Sequence, residues 1–281
     1  MHLLPSKRYC YNQLIDTDSG KSVMVAMDHS GGGIFPGLED YELTLKSVID
    51  ARPDAIMVNM AMVRHFNHLF KGRQAPAIVA SIDLNMMADK LPKEMMEEGQ
   101  NLGLATIEEA VRYGASAVKV LMTWGQVNLE MQHRAFERIG CWTQECAKWN
   151  LPFIVEPNLW GQRISRDKYK DPQMLGDTAR IAVEMGADVL KIDVPDDLDE
   201  LKKIIKACMV PVFLLGGSKG NDAGAFLKKV DSTMKAGAAG VVVGRSVWQA
   251  KDIKKMVQAL KLVVYEGKLE EAIELAKVTY S

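Results

Sequence analysis

The sequence predicts an α/β fold, a single (β/α)8 barrel of the TIM type, on three observations. Eight short runs rich in Val, Ile and Ala alternate with segments of helical periodicity from end to end, the pattern of a parallel sheet built from βα units. Three of the helical segments close on Gly-Ala and pass straight into a strand run, at Tyr113-Gly114-Ala115, Met185-Gly186-Ala187 and Ala236-Gly237-Ala238. Glycine suits the left-handed residue that ends a helix. No Gly-x-Gly-x-x-Gly follows the first run, so an open dinucleotide-binding sheet loses its main support.

In chain order the strand runs are Ser22 to Asp28, Ala55 to Asn59, Ala77 to Asp83, Ala115 to Met122, Pro152 to Glu156, Ala187 to Val194, Pro211 to Leu215 and Ala239 to Gly244. Their near-continuous apolar character is that of parallel strands covered on both faces. Segment 1–21 precedes the first run, and helical segments such as Leu198 to Met209 read as the amphipathic outer cover. With 281 residues and no Pro/Gly/Ser-rich linker, residues 1–281 are expected to form one barrel domain.

Composition narrows the function. A formal net charge of −1 makes no electrostatic case for nucleic acid or an anionic membrane. The N-terminus lacks the apolar core of a signal peptide, and no apolar run approaches membrane-spanning length. Cys10, Cys141, Cys146 and Cys208 are scattered, outside any metal-ligand spacing, as expected of idle thiols in a reducing cytoplasm. His65 and His68 sit three apart, while His2, His29 and His133 are isolated. No metal or other cofactor is expected.

In a barrel, chemistry belongs at the C-terminal ends of the strands. The sixth run, Ala187-Asp-Val-Leu-Lys-Ile-Asp-Val-Pro195, carries Lys191 inside an otherwise apolar strand. An ammonium there costs several kcal/mol unless it is compensated or gives up its proton, and an uncharged amine attacks carbonyls to form imines. The plainer alternative is a strand-end lysine that snorkels to solvent or pairs with Asp193. Inward residues of alternate strands share a layer, so Lys119 of the fourth run is expected to converge on Lys191 and help lower the pKa of one of the two. Pairing of Lys119 with Glu156 or Asp28 is compatible with that role. Glu156, ending the fifth run between the lysine strands, is placed to move a proton. Asp28, ending the first, is placed to orient an intermediate or balance the iminium charge.

The seventh and eighth runs lead into Gly216-Gly217-Ser218-Lys219-Gly220 and Gly244-Arg245-Ser246-Val247-Trp248-Gln249. Glycines let backbone N–H groups approach an anion, and Arg245 adds a fork of donors. These loops are where barrels commonly hold phosphate, so Gly216, Gly217, Ser218, Gly244 and Arg245 are the expected phosphate holders. Plain tight βα turns are the alternative. Trp124 and Trp160 are candidates for the pocket wall.

With Met27-Asp28-His29 and its glycine loop, the sixth-run lysine, Gly216-Gly217-Ser218-Lys219 and Gly244-Arg245-Ser246 laid out, the chain resembles the class I, Schiff-base aldolases. That superfamily includes archaeal-type fructose-bisphosphate aldolase, the autoinducer-processing thiolase and tagatose-bisphosphate aldolase. The resemblance implies Lys191 as the imine-forming residue, Asp28 as its acidic neighbour, and Gly217, Ser218, Gly244 and Arg245 at the phosphate. Archaeal-type members carry a tyrosine before the fifth-strand proline, where this chain has Glu156. Glu156 with Lys119 looks more like the tagatose-bisphosphate branch, which implies Glu156 as the proton-transfer group. The expected activity is a metal-independent lyase acting on a phosphorylated ketose and releasing dihydroxyacetone phosphate or a close analogue. The expected assembly is a homo-oligomer, as is common for relatives of this fold. A transaldolase- or thiolase-like transferase using the same imine, or a non-catalytic sugar-phosphate-binding barrel, are the alternatives.

Overall fold

A computed structural model describes residues 4–29, 33–84, 102–216 and 222–280. Eight strands form a closed, all-parallel barrel: β1 (Ser22–Ala26), β2 (Ala55–Asn59), β3 (Ala77–Ser81), β4 (Ala117–Thr123), β5 (Phe153–Asn158), β6 (Val189–Ile192), β7 (Val212–Leu215) and β8 (Gly240–Val243). Each pairs with its sequence neighbour, and β1 closes on β8 with Ser22 opposite Gly240 and Val25 opposite Val243. That seam requires glycine at 240, where φ is +148° and a Cβ would lie 1.9 Å from the Ser22 carbonyl oxygen.

The two-residue period of the strands sorts the core into two shells. Val23, Val25, Ile56, Val58, Val118, Val120, Leu190 and Ile192 point outward into the layer shared with the helices. Met24, Ala55, Met57, Val79, Ala117, Ile154, Val189, Phe213 and Val242 fill the barrel interior. Each fully buried large side chain contributes about 1.5–3 kcal/mol. The first helix, α1 (Pro5–Leu14), runs ahead of β1, and its end supplies Leu14 and Ile15 to the interior cluster. It stoppers the N-terminal end of the barrel. Lys7 Nζ fastens it to Asp188 Oδ2 at 2.7 Å.

The outer helices are α2 (Tyr41–Ala51), α3 (Met60–Phe66), α4 (Ile107–Arg112), α5 (Leu129–Trp149), α6 (Pro172–Glu184), α7 (Leu198–Cys208), α8 (Ala223–Lys235), the short α9 (Arg245–Trp248), α10 (Ile253–Lys261) and α11 (Leu269–Tyr280). Helices α2, α4, α5, α6, α7, α8 and α10 each open on an Asp, Asn or Thr whose side chain accepts a backbone N–H of the first turn. Gly114, Gly186 and Gly237 all have positive φ, at +79°, +103° and +105°, as the Gly-Ala repeat implies. Among the described residues, no helix is long and apolar enough to cross a membrane.

The structure departs from the sequence expectation after β3. That strand ends at Ser81, and Asp83–Leu84 then pair antiparallel with Leu102–Gly103 in a separate two-residue ladder.

Candidate active site

The inward positions nearest the C-terminal mouth are polar where the deeper ones are apolar. Counting by twos along each strand, the interior row that holds Met24, Ala117, Ile154 and Val189 continues to Asp28, Lys119, Glu156 and Lys191. These four residues line one cavity of 470 Å³.

Glu156 joins the two lysines. Its Oε2 accepts a hydrogen bond from Lys191 Nζ at 2.8 Å and lies 2.8 Å from Lys119 Nζ. Lys119 Nζ also donates to Asp28 Oδ2 at 3.1 Å. Lys119, Glu156 and Lys191 are 3%, 3% and 6% exposed, so little water screens the chain Asp28–Lys119–Glu156–Lys191. The two ammoniums therefore share one carboxylate oxygen. Lys191 Nζ also lies 4.0 Å from the Met57 sulfur. Asp193, an alternative partner read from the sequence, is not the hydrogen-bonding partner of Lys191.

Burial works against charge on Asp28, Glu156 and Lys119, and attraction from their neighbours overcomes it. Lys119 and Lys191 hold the Asp28 carboxyl well below the usual carboxylate range despite its desolvation. Glu156 is lowered by the same two ammoniums against the same penalty. Lys119 is raised above the ordinary lysine value, burial being outweighed by Asp28 and Glu156. A lowered lysine pKa was expected of one of the pair, and Lys119 is not that one.

Asp83, Asp167, Asp193 and Asp196 also line the cavity. Burial pushes Asp83 up to about 7, against the pull of Lys119. Burial and then the Glu156 charge push Asp193 up to about 6. Sequence reasoning placed Asp83 at the end of a strand run without assigning it a part. Its inward register two residues beyond Ser81 was the available signal.

Tyr41 Oη donates to the Met27 carbonyl at 3.0 Å and Trp248 Nε1 to the Ala26 carbonyl at 3.0 Å, bracing the backbone that presents Asp28. The His29 ring stands edge-on to Phe35 and Trp248, a packed histidine whose pKa burial lowers. His65, His68 and His133 are exposed. Trp160 lines the cavity, whereas Trp124 stacks on Phe136 instead.

Gly216, Gly244 and Arg245 lie on the opposite wall of the same cavity from β3. A Cβ at Gly244 would meet His29 Cε1 at 2.7 Å and the Ala26 carbonyl oxygen at 2.8 Å, so close strand packing demands glycine there. Gly217 and Ser218 lie outside the described residues.

Comparison with known proteins gives this geometry a context. Residues 18–250 match the model of the DeoC/LacD family aldolases. The chain is 32% identical over 258 residues to the class 1 fructose-bisphosphate aldolase of Thermoproteus tenax, covering 89% of this chain and 91% of that one. It is 28% identical over 263 residues to an uncharacterized aldolase of Saccharolobus solfataricus, covering 92% and 96%. Among solved structures it is similar to an archaeal fructose-1,6-bisphosphate aldolase whose catalytic lysine is covalently bound to a carbinolamine intermediate. The TM-score is 0.78 at 26% identity, over 92% of this chain and 99% of that one. A match that runs from the approach to β1 through the helix after β8 leaves one assignment: the chain belongs to the DeoC/LacD family of aldolases.

Proposed function

We propose that this aldolase makes and breaks a carbon–carbon bond in a phosphorylated ketose through an imine on Lys191, releasing dihydroxyacetone phosphate or a close analogue. The observation that carries the proposal is the Glu156 oxygen held 2.8 Å from both lysine nitrogens in a buried cavity. Relatives named as fructose-bisphosphate aldolases support the substrate class.

Lys191 passes one proton to Glu156, and the neutral amine adds to the ketone carbon, a second proton moving from the nitrogen to the former carbonyl oxygen to give the carbinolamine. The Glu156 carboxyl returns the proton to the carbinolamine hydroxyl, which leaves as water, and the iminium remains. Glu156, again a carboxylate, takes the proton of the hydroxyl carried by the far carbon of the bond to be broken. That bond then breaks, its electrons flow into the iminium to give an enamine, and the aldehyde departs. Protonation of the enamine carbon by Glu156 and hydrolysis of the resulting iminium release the ketone and restore the lysine ammonium.

Lys119, held charged by Asp28 and Glu156, keeps Glu156 ionised and in place between turnovers. Asp28 supplies negative charge that favours the iminium. The loops after β7 and β8, with Gly216, Gly217, Ser218, Gly244 and Arg245, hold the phosphate. The same reading treats residues 1–281 as one barrel domain, acting in the cytoplasm as a homo-oligomer and needing no cofactor.

Borohydride reduction in the presence of dihydroxyacetone phosphate tests the proposal. Peptide mass analysis should place a covalent adduct on Lys191, absent in Lys191→Met. Demonstrated binding without any adduct would instead favour a sugar-phosphate sensor.

A further inference from the structure

Asp83 belongs to the cavity but has no part in the steps above. Strand β3 pairs with β4 as far as Ser81 opposite Lys119. Ile82 N–H still reaches the Lys119 carbonyl at 3.2 Å, and β3 then turns into its antiparallel ladder. Asp83 Oδ2 accepts the Leu121 N–H of β4 at 2.6 Å. This bond fixes the carboxyl plane. The other oxygen, Oδ1, is buried with no hydrogen-bond partner, on a residue 2% exposed that lines the cavity. An unsatisfied buried oxygen is costly, so a partner in the working complex is expected. Ser81, two residues earlier on the same face of β3, lines the cavity too.

The order of the strands indicates which partner. Around the barrel, β3 stands opposite β7, with β6, β5 and β4 between them. Passing from the β7 and β8 loops, a substrate meets Lys191 on β6, Glu156 on β5, Lys119 on β4, and then Ser81 and Asp83. A ketose with its phosphate at the glycine loops and its ketone at Lys191 brings the bond to be cleaved to Glu156. Its remaining carbons, those of the departing aldehyde, continue toward β3.

We propose that Asp83, with Ser81 beside it, is a specificity-determining residue that hydrogen-bonds a hydroxyl of the aldehyde half of the substrate. This rests on the aldolase reading above. The site then selects aldehydes carrying a hydroxyl next to the carbonyl over unsubstituted ones, because an aldehyde without that hydroxyl leaves the carboxyl oxygen unmatched.

The test is condensation of dihydroxyacetone phosphate with glycolaldehyde or with acetaldehyde, which differ by that one hydroxyl. The wild type should prefer glycolaldehyde by at least about tenfold in kcat/KM. Asp83→Asn keeps an oxygen for the Leu121 N–H but replaces the acceptor at Oδ1 with an amide donor. It should bring the preference to within about threefold, the glycolaldehyde rate falling more than the acetaldehyde rate, with borohydride trapping of dihydroxyacetone phosphate on Lys191 retained. Ser81→Ala, which spares the Leu121 bond, should lose part of the preference.

Equal loss for both aldehydes with trapping intact would overturn the proposal, because Asp83 would then act only by holding β4. A wild type without preference would overturn it as well. So would a misfolded Asp83→Asn combined with unchanged selectivity in Ser81→Ala. Absence of any wild-type adduct would overturn the aldolase reading itself, and this inference with it.

Discussion

Replacing Lys119 with Met removes the central cation of a buried chain of charges. Lys119 Nζ lies 3.1 Å from Asp28 Oδ2 and 2.8 Å from Glu156 Oε2, with the three side chains 3%, 7% and 4% exposed. Glu156 keeps Lys191, whereas Asp28 loses the ammonium that binds it. Breaking a buried pair from one side costs about 3–5 kcal/mol. At roughly 2.1 cal/mol/K of unfolding entropy per residue, 281 residues convert this into a fall in Tm of about 5–8 °C. The loss should depend on pH. A carboxyl whose native pKa is depressed, as for Asp28, stabilises the fold above its unfolded value of about 3.9 and ceases to do so as pH falls through the native value. Lys119, whose native pKa is raised, contributes fully below its unfolded value of about 10.4 and loses its contribution as pH rises through the native value. The gap between wild type and Lys119→Met should therefore be widest from about pH 5 to pH 9 and close on acidification. Lys119→Met combined with Asp28→Asn removes both partners and should recover more than half of the loss. Thermal denaturation followed by circular dichroism across that range is the assay. A pH-independent gap, or a double variant weaker than the single one, would refute the view that these charges hold one another.

Two further substitutions test the site, and a pair of glycine substitutions tests the fold. Glu156→Gln should lower kcat by about 10²–10⁴ under steady-state assay, with the fold intact; near-normal turnover would remove Glu156 from proton transfer. Arg245→Met should raise KM for a phosphorylated ketose by about 10–100-fold, the loss of charge-assisted hydrogen bonds worth roughly 1.5–3 kcal/mol, with less change in kcat. Gly240→Ala puts a Cβ 1.9 Å from the Ser22 carbonyl oxygen and should cost more than about 4 kcal/mol. Gly267→Ala, at φ +67° with nothing within 4 Å, should cost about 1–2 kcal/mol, a contrast that chemical denaturation will show.

The barrel was legible because parallel strands covered on both faces must be apolar throughout, and this leaves eight visible runs. The same rule exposed Lys119 and Lys191, since a lysine in such a run needs a compensating group. The partner was harder to read. Asp193 is near Lys191 in sequence, but Glu156 reaches it from the adjacent strand, and only register distinguishes the two. Asp83 was hidden for a related reason. Its significance comes from where β3 stops pairing with β4, and a run of apolar residues does not mark its own last ladder bond. Helix α1 was also obscure, because Pro5–Leu14 contributes only Leu14 to the fully buried set, with Cys10 and Tyr11 partly buried against the core.

Because Leu14 and Ile15 sit in the floor of the barrel, the reaction chamber is closed at that end and its doorway is the opposite mouth, where the strands end. Both fragments of a split sugar must leave by the route the whole one entered. The piece released by bond cleavage can go at once, while the piece still tied to the lysine must wait for water to come in past it. Traffic through that doorway, rather than the bond-breaking itself, is then a natural place for the rate of the cycle to be set.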